Sequence, residues 1–501
     1  MRRLSSRAEP SGLSSPGKGT LFCVRFETNM RTFPVLTSTY AESVLDKIGG
    51  FSSLWESRMQ EEPVDRRLVR EKIESRKLTC AVVGLGYVGF PLLLEMAHAG
   101  FDALGVDVRC EKVESINNGK SYLADVVDRE VSSLVAEGLL RATTDFSLLA
   151  DRDFIALCVP TPLDSCRQPD TSFMEDAARS VAPFLKEGAM VVLESTTYPG
   201  TTEQLIVPLL EQGSGFQCGK QFFVGFSPER VDPGNPTYKT GNTPKLVGAF
   251  GEDALDCIAG VYDAVLTGGV VKVSAPAVAE MAKLLENTYR NVNIGLINEI
   301  AMLCDRLDID VWEVIEAAST KPYGFAAFYP GPGPGGHCIP LDPSYLSWCA
   351  RQHQFCASMI EASNRINDQM PDYCAGRVER LMKRHGQSIE GASVLVLGVA
   401  YKENIGDCRE SSALELVECL ERYGAQVSYF DPWVKECVHH GIVRTSLPEL
   451  SASAIESADL VLVACAHDAI DYDFVQKHSK LVFDARNALK DVDDHDNVEV
   501  L

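Results

Sequence analysis

The thirty residues from Leu78 to Asp107 constrain the fold more than any other stretch. An apolar run, Leu78-Thr-Cys-Ala-Val-Val83, leads into Gly84, Gly86 and Gly89 in G-x-G-x-x-G spacing, and an amphipathic helical pattern follows. A second apolar run, Ala103-Leu-Gly-Val106, ends in Asp107, 18 residues beyond Gly89. A lone glycine motif is weak; strand, glycine turn, helix, strand and terminal acid in this order specify a dinucleotide-binding βαβ unit. The glycines, with Tyr87 and Val88 between them, allow a tight turn. They also let a pyrophosphate approach a helix N-terminus, whose free N–H groups and dipole favour anions. Asp107 can accept from both ribose hydroxyls and repels a 2′-phosphate, which predicts NAD rather than NADP.

Such a unit needs further parallel strands. They read at Asp153–Val159, Met190–Ser195 and Gln221–Gly225, each ending in a polar loop. In a doubly wound sheet ligands sit beyond the carboxyl ends of strands, so Pro160, Thr161, Ser195 and Thr196 should face the nicotinamide. Glu229 and Arg230 follow the third of these strands. They are either an exposed ion pair, worth little, or a catalytic and substrate-binding pair; their place beside the crevice favours the second.

From Pro276 to about Ala318 the pattern is helical, with two helices meeting near Asp308. Apolar residues recur at Val278, Met281, Leu284, Leu285, Val292, Leu296, Ile300 and Leu303. Lys283, Asn287, Arg290 and Asn291 share one face at helical spacing. That stripe is either solvated or turned to a site. Asparagine is a mediocre helix former and the Glu–Lys pairing of an outer face is missing, which favours a site. A helix this long also suits a dimer interface. Another helical region runs to about Arg384. A second α/β domain follows, with strands at Ser393–Leu397, Gln426–Phe430, Asp459–Ala464 and Lys480–Asp484. The loop after its first strand lacks G-x-G-x-x-G, so a second nucleotide of another kind is expected, with Lys402 and Arg409 available for its phosphates.

The predicted architecture is α/β: two Rossmann-like doubly wound parallel-sheet domains, 76–275 and 385–501, joined by a long central helical segment, 276–384. Residues 1–75 read as an N-terminal extension, partly disordered, with one or two short polar helices over 41–76. Its first residues resemble an organelle transit peptide, but the composition favours a disordered extension. Hydrophobic content of 45% and charged content of 23% are ordinary for a globular chain. The net charge of −23 argues against nucleic acid or an anionic membrane as partner. Any anionic ligand must therefore be held by a few local cations and helix N-termini. No apolar run reaches the ~18 residues of a membrane span. The 16 cysteines include no Cys-x-x-Cys pair, which leaves zinc and iron–sulfur sites without support and suits reduced thiols in a cytoplasmic setting.

Between the two helical regions lies Tyr329-Pro-Gly-Pro-Gly-Pro-Gly-Gly-His-Cys338, too rich in glycine and proline for helix or central strand. Its bare backbone, Gly333 included, can lie against a ligand. His337 and Cys338 follow directly, and Asp342 comes four residues later. On the loop alone, Cys338 is either a nucleophile or a buried small hydrophobe.

Together these motifs resemble the UDP-glucose/GDP-mannose dehydrogenase family over about residues 76–490. The resemblance rests on Gly-Leu-Gly-Tyr-Val-Gly89, Pro-Thr-Pro162, Glu-Ser-Thr-Thr-Tyr-Pro-Gly-Thr-Thr202, Phe-Ser-Pro-Glu-Arg230, Lys283 with Asn287, Gly-Gly-His-Cys338, and Lys402 through Arg409. His337 and Leu341 stand where the UDP-glucose branch carries Ser and Lys, and the loop is similar to the branch acting on UDP-N-acetylhexosamines. What the resemblance implies is a metal-free, four-electron oxidation of the sugar C6 alcohol to a carboxylate with two NAD+. The expected substrate is UDP-N-acetyl-D-glucosamine, with UDP-N-acetyl-D-mannosamine and then UDP-glucose as alternatives, and the product would enter polysaccharide biosynthesis. Cys338 would carry a thiohemiacetal and then a thioester, with Lys283 and Asn287 stabilising the oxyanion. Asp342, Thr196 and Glu229 would position water or carry protons. Lys112 and Arg409 would touch NAD; Arg230, Arg290, Tyr329, Gly333 and Lys402 would hold the nucleotide sugar. Lys321 would reach across from a neighbouring subunit of a homodimer or larger homo-oligomer. A glutamate that the UDP-glucose branch carries four residues beyond the Glu229 position is Pro233 here, so Glu229 or a water held by Asp342 must do more in thioester hydrolysis.

Overall fold

Eight strands form the first sheet: β1 (Thr79–Val83), β2 (Asp102–Val106), β3 (Leu140–Thr143), β4 (Phe154–Leu157), β5 (Met190–Leu193), β6 (Phe223–Phe226), β7 (Lys245–Ala249) and β8 (Val270–Val273). Their spatial order is β3-β2-β1-β4-β5-β6-β7-β8, parallel throughout except at β6–β7. This computed structural model describes residues 66–501 apart from 124, 125, 165, 166, 233 and 337, and the side chain of Cys338 is likewise not described. The expectations for residues 1–65, His337 and Pro233 therefore lie outside the described residues.

The parallel strands are buried on both faces, so they read as near-continuous Val, Ile, Leu and Phe runs. The strands that the sequence patterns left out are different. β3 and β8 are short edge strands, each interrupted by a basic residue, and β7 opens on a lysine before its apolar run. The helix Arg66–Glu74 belongs to this domain: Val69 enters its core and Lys72 Nζ meets Asp153 Oδ1 at 2.8 Å.

The second sheet runs β10 (Gln426–Phe430), β9 (Ser393–Leu397), β13 (Leu460–Val463), β14 (Val482–Asp484) and β15 (Val498–Val500), all parallel. A hairpin of β11 (Glu436–His439) and β12 (Ile442–Thr445) stands apart from it. Two Rossmann-like sheets were predicted and two are found.

Between them the helix Pro276–Leu307 ends at Asp308 in left-handed conformation, and Val311–Ser319 follows. Cys338 opens the helix Cys338–Gln352, and Ser358–Arg384 completes the central segment. The long helix is turned opposite to an ordinary amphipathic one. Its buried residues include Ala279, Glu280, Lys283, Thr288, Asn291, Gly295, Asn298 and Ala301, while Val278, Met281, Leu285, Leu296 and Leu303 are exposed.

The glycine turn after β1 divides its labour. Gly84 has φ 91°, and a Cβ on Gly89 would stand 2.0 Å from the Gly84 carbonyl oxygen. A Cβ on Gly86 would meet nothing within 4 Å. Gly89→Ala should therefore lower stability by about 1–3 kcal/mol through overpacking. Gly86→Ala should stay within about 0.5 kcal/mol of the parent. Chemical denaturation of the two variants checks this, and equal losses would contradict it.

Candidate active site

The first crevice opens where β1 meets the helix Gly89–His98. Asp107 at the end of β2 is buried, and its carboxylate accepts from the Leu85 N–H at 2.8 Å, the Arg109 N–H at 2.9 Å and Lys112 Nζ at 2.9 Å. Burial works against its charge, but the Lys112 bond and the two amides outweigh it and hold its pKa below the usual carboxylate range. The open space at Gly86, beside a helix N-terminus, is room for a pyrophosphate that any side chain would fill. These residues fit a dinucleotide.

The strand-end loops are tied together beside this crevice. Ser195 Oγ accepts from the Val159 N–H at 2.9 Å and donates to the Val159 carbonyl at 2.8 Å, stapling the end of β4 to β5. Thr196 is half-buried next to it. Tyr345, on the Cys338 helix, donates toward the carbonyls of Thr161 and Pro162 at 3.0 and 3.1 Å. Trp348 on the same helix packs on Tyr198, ring centres 4.8 Å apart. The helix that begins with Cys338 is thus fastened to both loops expected at the nicotinamide.

The polar stripe of the long helix turns inward, with one exception. Asn287 Nδ2 donates to Asp342 Oδ2 at 2.5 Å, and the Lys283 ammonium acts on the same carboxyl. Asp342 is buried one turn after Cys338. Burial pushes its pKa up to about 6 despite the opposing pull of Lys283 and Asn287. Asn291 accepts from Asn367 and donates to Asn364, Asn298 Nδ2 donates to Asn367, and the Gly331 N–H donates to Asn298. Arg290 does not join them; it is exposed.

The glycine loop is clamped from its other side by the C-terminal domain. Ser412 Oγ donates to the Gly333 carbonyl at 2.9 Å, and the Gly336 N–H donates to the Glu410 carbonyl at 3.2 Å. A Cβ on Gly335 or Gly336 would stand 2.8 Å from Tyr401. Tyr329 is exposed and stacks on Trp312. Lys321 is exposed, over the Tyr323 ring.

Three further cations of the expected set already have acid partners. Arg230 pairs with Glu286 at 2.7 Å, Lys402 meets both oxygens of Asp232 at 2.8 Å, and Arg409 pairs with Asp407 at 2.6 Å. Arg409 also lies over Tyr87, 4.9 Å from its ring centre, so a C-terminal residue covers the glycine turn of the first domain.

Glu229, foreseen in the sequence, brings with it partners that escaped sequence reasoning: Lys245, Glu194 and Tyr262, with Glu280 bonded to the loop after β5. Glu229 Oε1 accepts from the Arg230 and Val231 amides at 2.8 Å each, while Oε2 is buried without a hydrogen bond, 3.5 Å from Lys245 Nζ. Lys245 also bonds Glu194, which Tyr262 bonds in turn. Burial opposes the Lys245 charge, but Glu194 and Glu229 outweigh it and raise the ammonium pKa. Glu280, fully buried on the long helix, accepts from the Gly200 and Thr202 amides and from the Thr202 hydroxyl, fixing the loop after β5. A lysine at the head of an apolar strand and a glutamate just before Ser195 were the available signals.

Three segments of the chain match the UDP-glucose/GDP-mannose dehydrogenase family: its NAD binding domain over residues 78–266, its central domain over 277–369 and its UDP binding domain over 395–491. The chain belongs to that family. The enzyme is an NAD-dependent nucleotide-sugar dehydrogenase, and its second Rossmann-like domain is the UDP-binding one. It is 36% identical to Protein CapL of Staphylococcus aureus over 82% of this chain and 96% of that one. It is 35% identical to a UDP-N-acetyl-D-glucosamine 6-dehydrogenase of Salmonella typhi over 77% of this chain and 89% of that one. Its fold matches the solved structure of a UDP-D-ManNAc dehydrogenase from Pyrococcus horikoshii with a TM-score of 0.77 and 33% identity, covering 84% of this chain and 99% of that one. Among the described residues no helix is long and apolar enough to cross a membrane.

The Asp342 environment sets a measurable pH window. In the unfolded chain the carboxyl ionises near 3.8, in the folded enzyme only near about 6. The folded state thus holds an extra proton between these values, and stability falls as pH rises through them. The gap corresponds to about 3 kcal/mol. The stability of Asp342→Asn minus that of the parent should therefore grow by about that amount between pH 4 and pH 7, read by urea denaturation. A pH-independent difference would rule this environment out.

Proposed function

We propose that the enzyme oxidises the C6 hydroxymethyl group of UDP-N-acetyl-D-glucosamine to the uronic acid, through a covalent adduct on Cys338, and supplies an acidic sugar for polysaccharide biosynthesis. The observation that carries this reading is buried Asp342, one helical turn beyond Cys338, held by Asn287 and Lys283 of the long helix. A thiol at a helix N-terminus is held toward its thiolate form by the helix dipole, and Lys283 would add to that.

NAD+, held by the Gly84–Gly89 turn, Asp107 and Lys112, supplies the hydride acceptor in both oxidations. The chain's own residues do the rest. Cys338 adds to the aldehyde of the first oxidation, forming a thiohemiacetal whose oxyanion Lys283 and Asn287 stabilise. Loss of a second hydride leaves a thioester. A water positioned by Asp342 and Thr196 then attacks it, the thiol leaves, and the water oxygen stays in the carboxylate. Two hydrides leave for each sugar oxidised. With a pKa of about 6, Asp342 can both give and take a proton near neutrality. Glu229, with one oxygen free of hydrogen bonds, serves as a second acid–base group. Arg230, Lys402, Tyr329 and Gly333 hold the nucleotide sugar.

Leu341, where the UDP-glucose branch resembled here carries Lys, supports an N-acetylhexosamine substrate, as do the names of the relatives. UDP-N-acetyl-D-mannosamine is the second reading, favoured by the Pyrococcus structure. A panel of UDP-N-acetylglucosamine, UDP-N-acetylmannosamine and UDP-glucose, with NADH counted per sugar, tests this. Two NADH per UDP-N-acetylglucosamine is expected, and turnover of UDP-glucose alone would overturn the substrate. Cys338→Ala should reduce turnover at least ~1,000-fold, and full activity would overturn the covalent route.

The exposed apolar stripe of the long helix supports a homodimer or larger homo-oligomer, with Lys321 reaching a neighbouring subunit. Leu285→Glu with Leu296→Glu should shift the sedimentation coefficient to the monomer value; an unchanged coefficient would contradict it.

A further inference from the structure

The UDP-binding domain carries a cluster that takes no part in the site above. The hairpin β11–β12 turns on His440 and Gly441, both left-handed, with φ 45° and 80°. Neighbouring side chains on a strand point to opposite faces. The left-handed backbone at His440 instead brings its ring beside that of His439, centroids 4.1 Å apart. Opposite them, Glu415 and Glu418 stand at i and i+3 on the helix Ser412–Arg422, and so share one face.

The four side chains converge. His439 Nε2 lies 3.2 Å from Glu415 and 3.7 Å from Glu418, and His440 Nδ1 lies 3.1 Å from Glu418. One nitrogen or carboxylate oxygen from each residue lies within 4.8 Å of all the others. The His439 side chain is only 9% exposed, and its Nε2 makes no well-aligned hydrogen bond. Both carboxylates are near and neither is in line. A buried ring nitrogen left in that state is costly, unless a cation completes the arrangement. Arg444, the neighbouring cation on β12, pairs with Glu421 at 2.7 Å instead.

We infer that Glu415, Glu418, His439 and His440 bind one divalent transition-metal ion of the zinc class. Two imidazoles and two carboxylates make a complete four-coordinate shell, the closed form that structural sites take. Bonds of about 2.0–2.2 Å place tetrahedral ligand atoms roughly 3.3–3.6 Å apart; the nitrogen–oxygen contacts here run from 3.1 to 3.9 Å, within a set spanning at most 4.8 Å. Imidazole nitrogens select against magnesium and calcium, which take oxygen ligands. The ion binds the hairpin to the helix whose first residue, Ser412, holds Gly333 of the catalytic loop. It braces that helix and leaves the oxidation metal-free. The lack of Cys-x-x-Cys spacing speaks only against paired-cysteine sites and says nothing about this one.

The test must separate this site from the many thiols. The full-length enzyme, stripped with chelator, is titrated with cobalt(II) and zinc(II). One cobalt per chain with tetrahedral d–d bands and no thiolate charge-transfer band is expected, with a rise in thermal midpoint on metal addition. His439→Phe should abolish those bands and weaken zinc binding by at least about tenfold, while NAD-linked turnover shows that the chain is folded. His440→Ala, at an exposed position, gives the same readout if His439→Phe does not fold. Cobalt bands that persist unchanged in the folded variants, or metal held only through sulfur, would overturn the inference.

Discussion

A buried carboxyl, Asp342, governs the central segment. An acid removed from water needs donors, and its donors come from Asn287 and Lys283 on the long helix. That helix must therefore turn polar residues inward for several turns. A polar inner face packs closely only where side chains are small: a Cβ on Gly295 would stand 2.8 Å from Ser363. The remaining inward amides bond one another and Gly331 rather than water, which ties the position of the glycine loop to the packing of two helices. Several large apolar residues of the same helix, Met281, Leu285, Leu296 and Leu303 among them, are then left on its outer face, while Leu284 stays buried.

The two Rossmann-like domains repeat one local construction and put it to different uses. The Gly84 N–H donates to the end of β2 and the Gly398 N–H to the end of β10, and in both a Cβ would stand 2.3 Å from a carbonyl one strand away. Asp107 and Asp431 receive the next amide in each case. Their surroundings differ. Asp107 has a partly exposed lysine beside it, at the mouth of the crevice. Asp431 is enclosed by the amides of Val399, Ala400, Trp433 and Val434 and by His467, so it holds the Gly398–Ser412 loop in shape. One acid can meet a ribose; the other is used up by its own loop.

Much of this was legible in the sequence because it depends on local spacing. The glycine turn, Asp107, the strand-end loops and the inward Lys283–Asn287 pair all follow from period and chemistry read along one segment. What escaped depends on pairs distant in sequence. Lys245 stands out as a lysine at an apolar run, but its acid partners appear only once β7 is known to lie beside β6, and Glu280 looks like any helix glutamate until the Thr202 amide is placed against it. Arg290 satisfied the stripe by count, yet its side chain is exposed. The four residues of the cluster in the UDP-binding domain lie on a helix, Ser412–Arg422, and a hairpin, β11–β12, and sequence reading foresaw neither element.

The cations proposed for the ligand show how an acidic chain can bind an acidic substrate. With a net charge of −23, long-range attraction is not available. Arg230, Lys402 and Arg409 are each kept in position by a carboxylate, from Glu286, Asp232 and Asp407. These pairs are partly exposed, so each is worth little on its own. That weakness is useful: exchanging such a carboxylate for a phosphate costs little, and the cation has already lost its side-chain freedom. Two of the pairs also join segments distant in the chain, Lys402 to the Glu229 loop and Arg230 to the long helix. The groups that would bind the nucleotide sugar are therefore the same groups that hold the domains in register around the thiol.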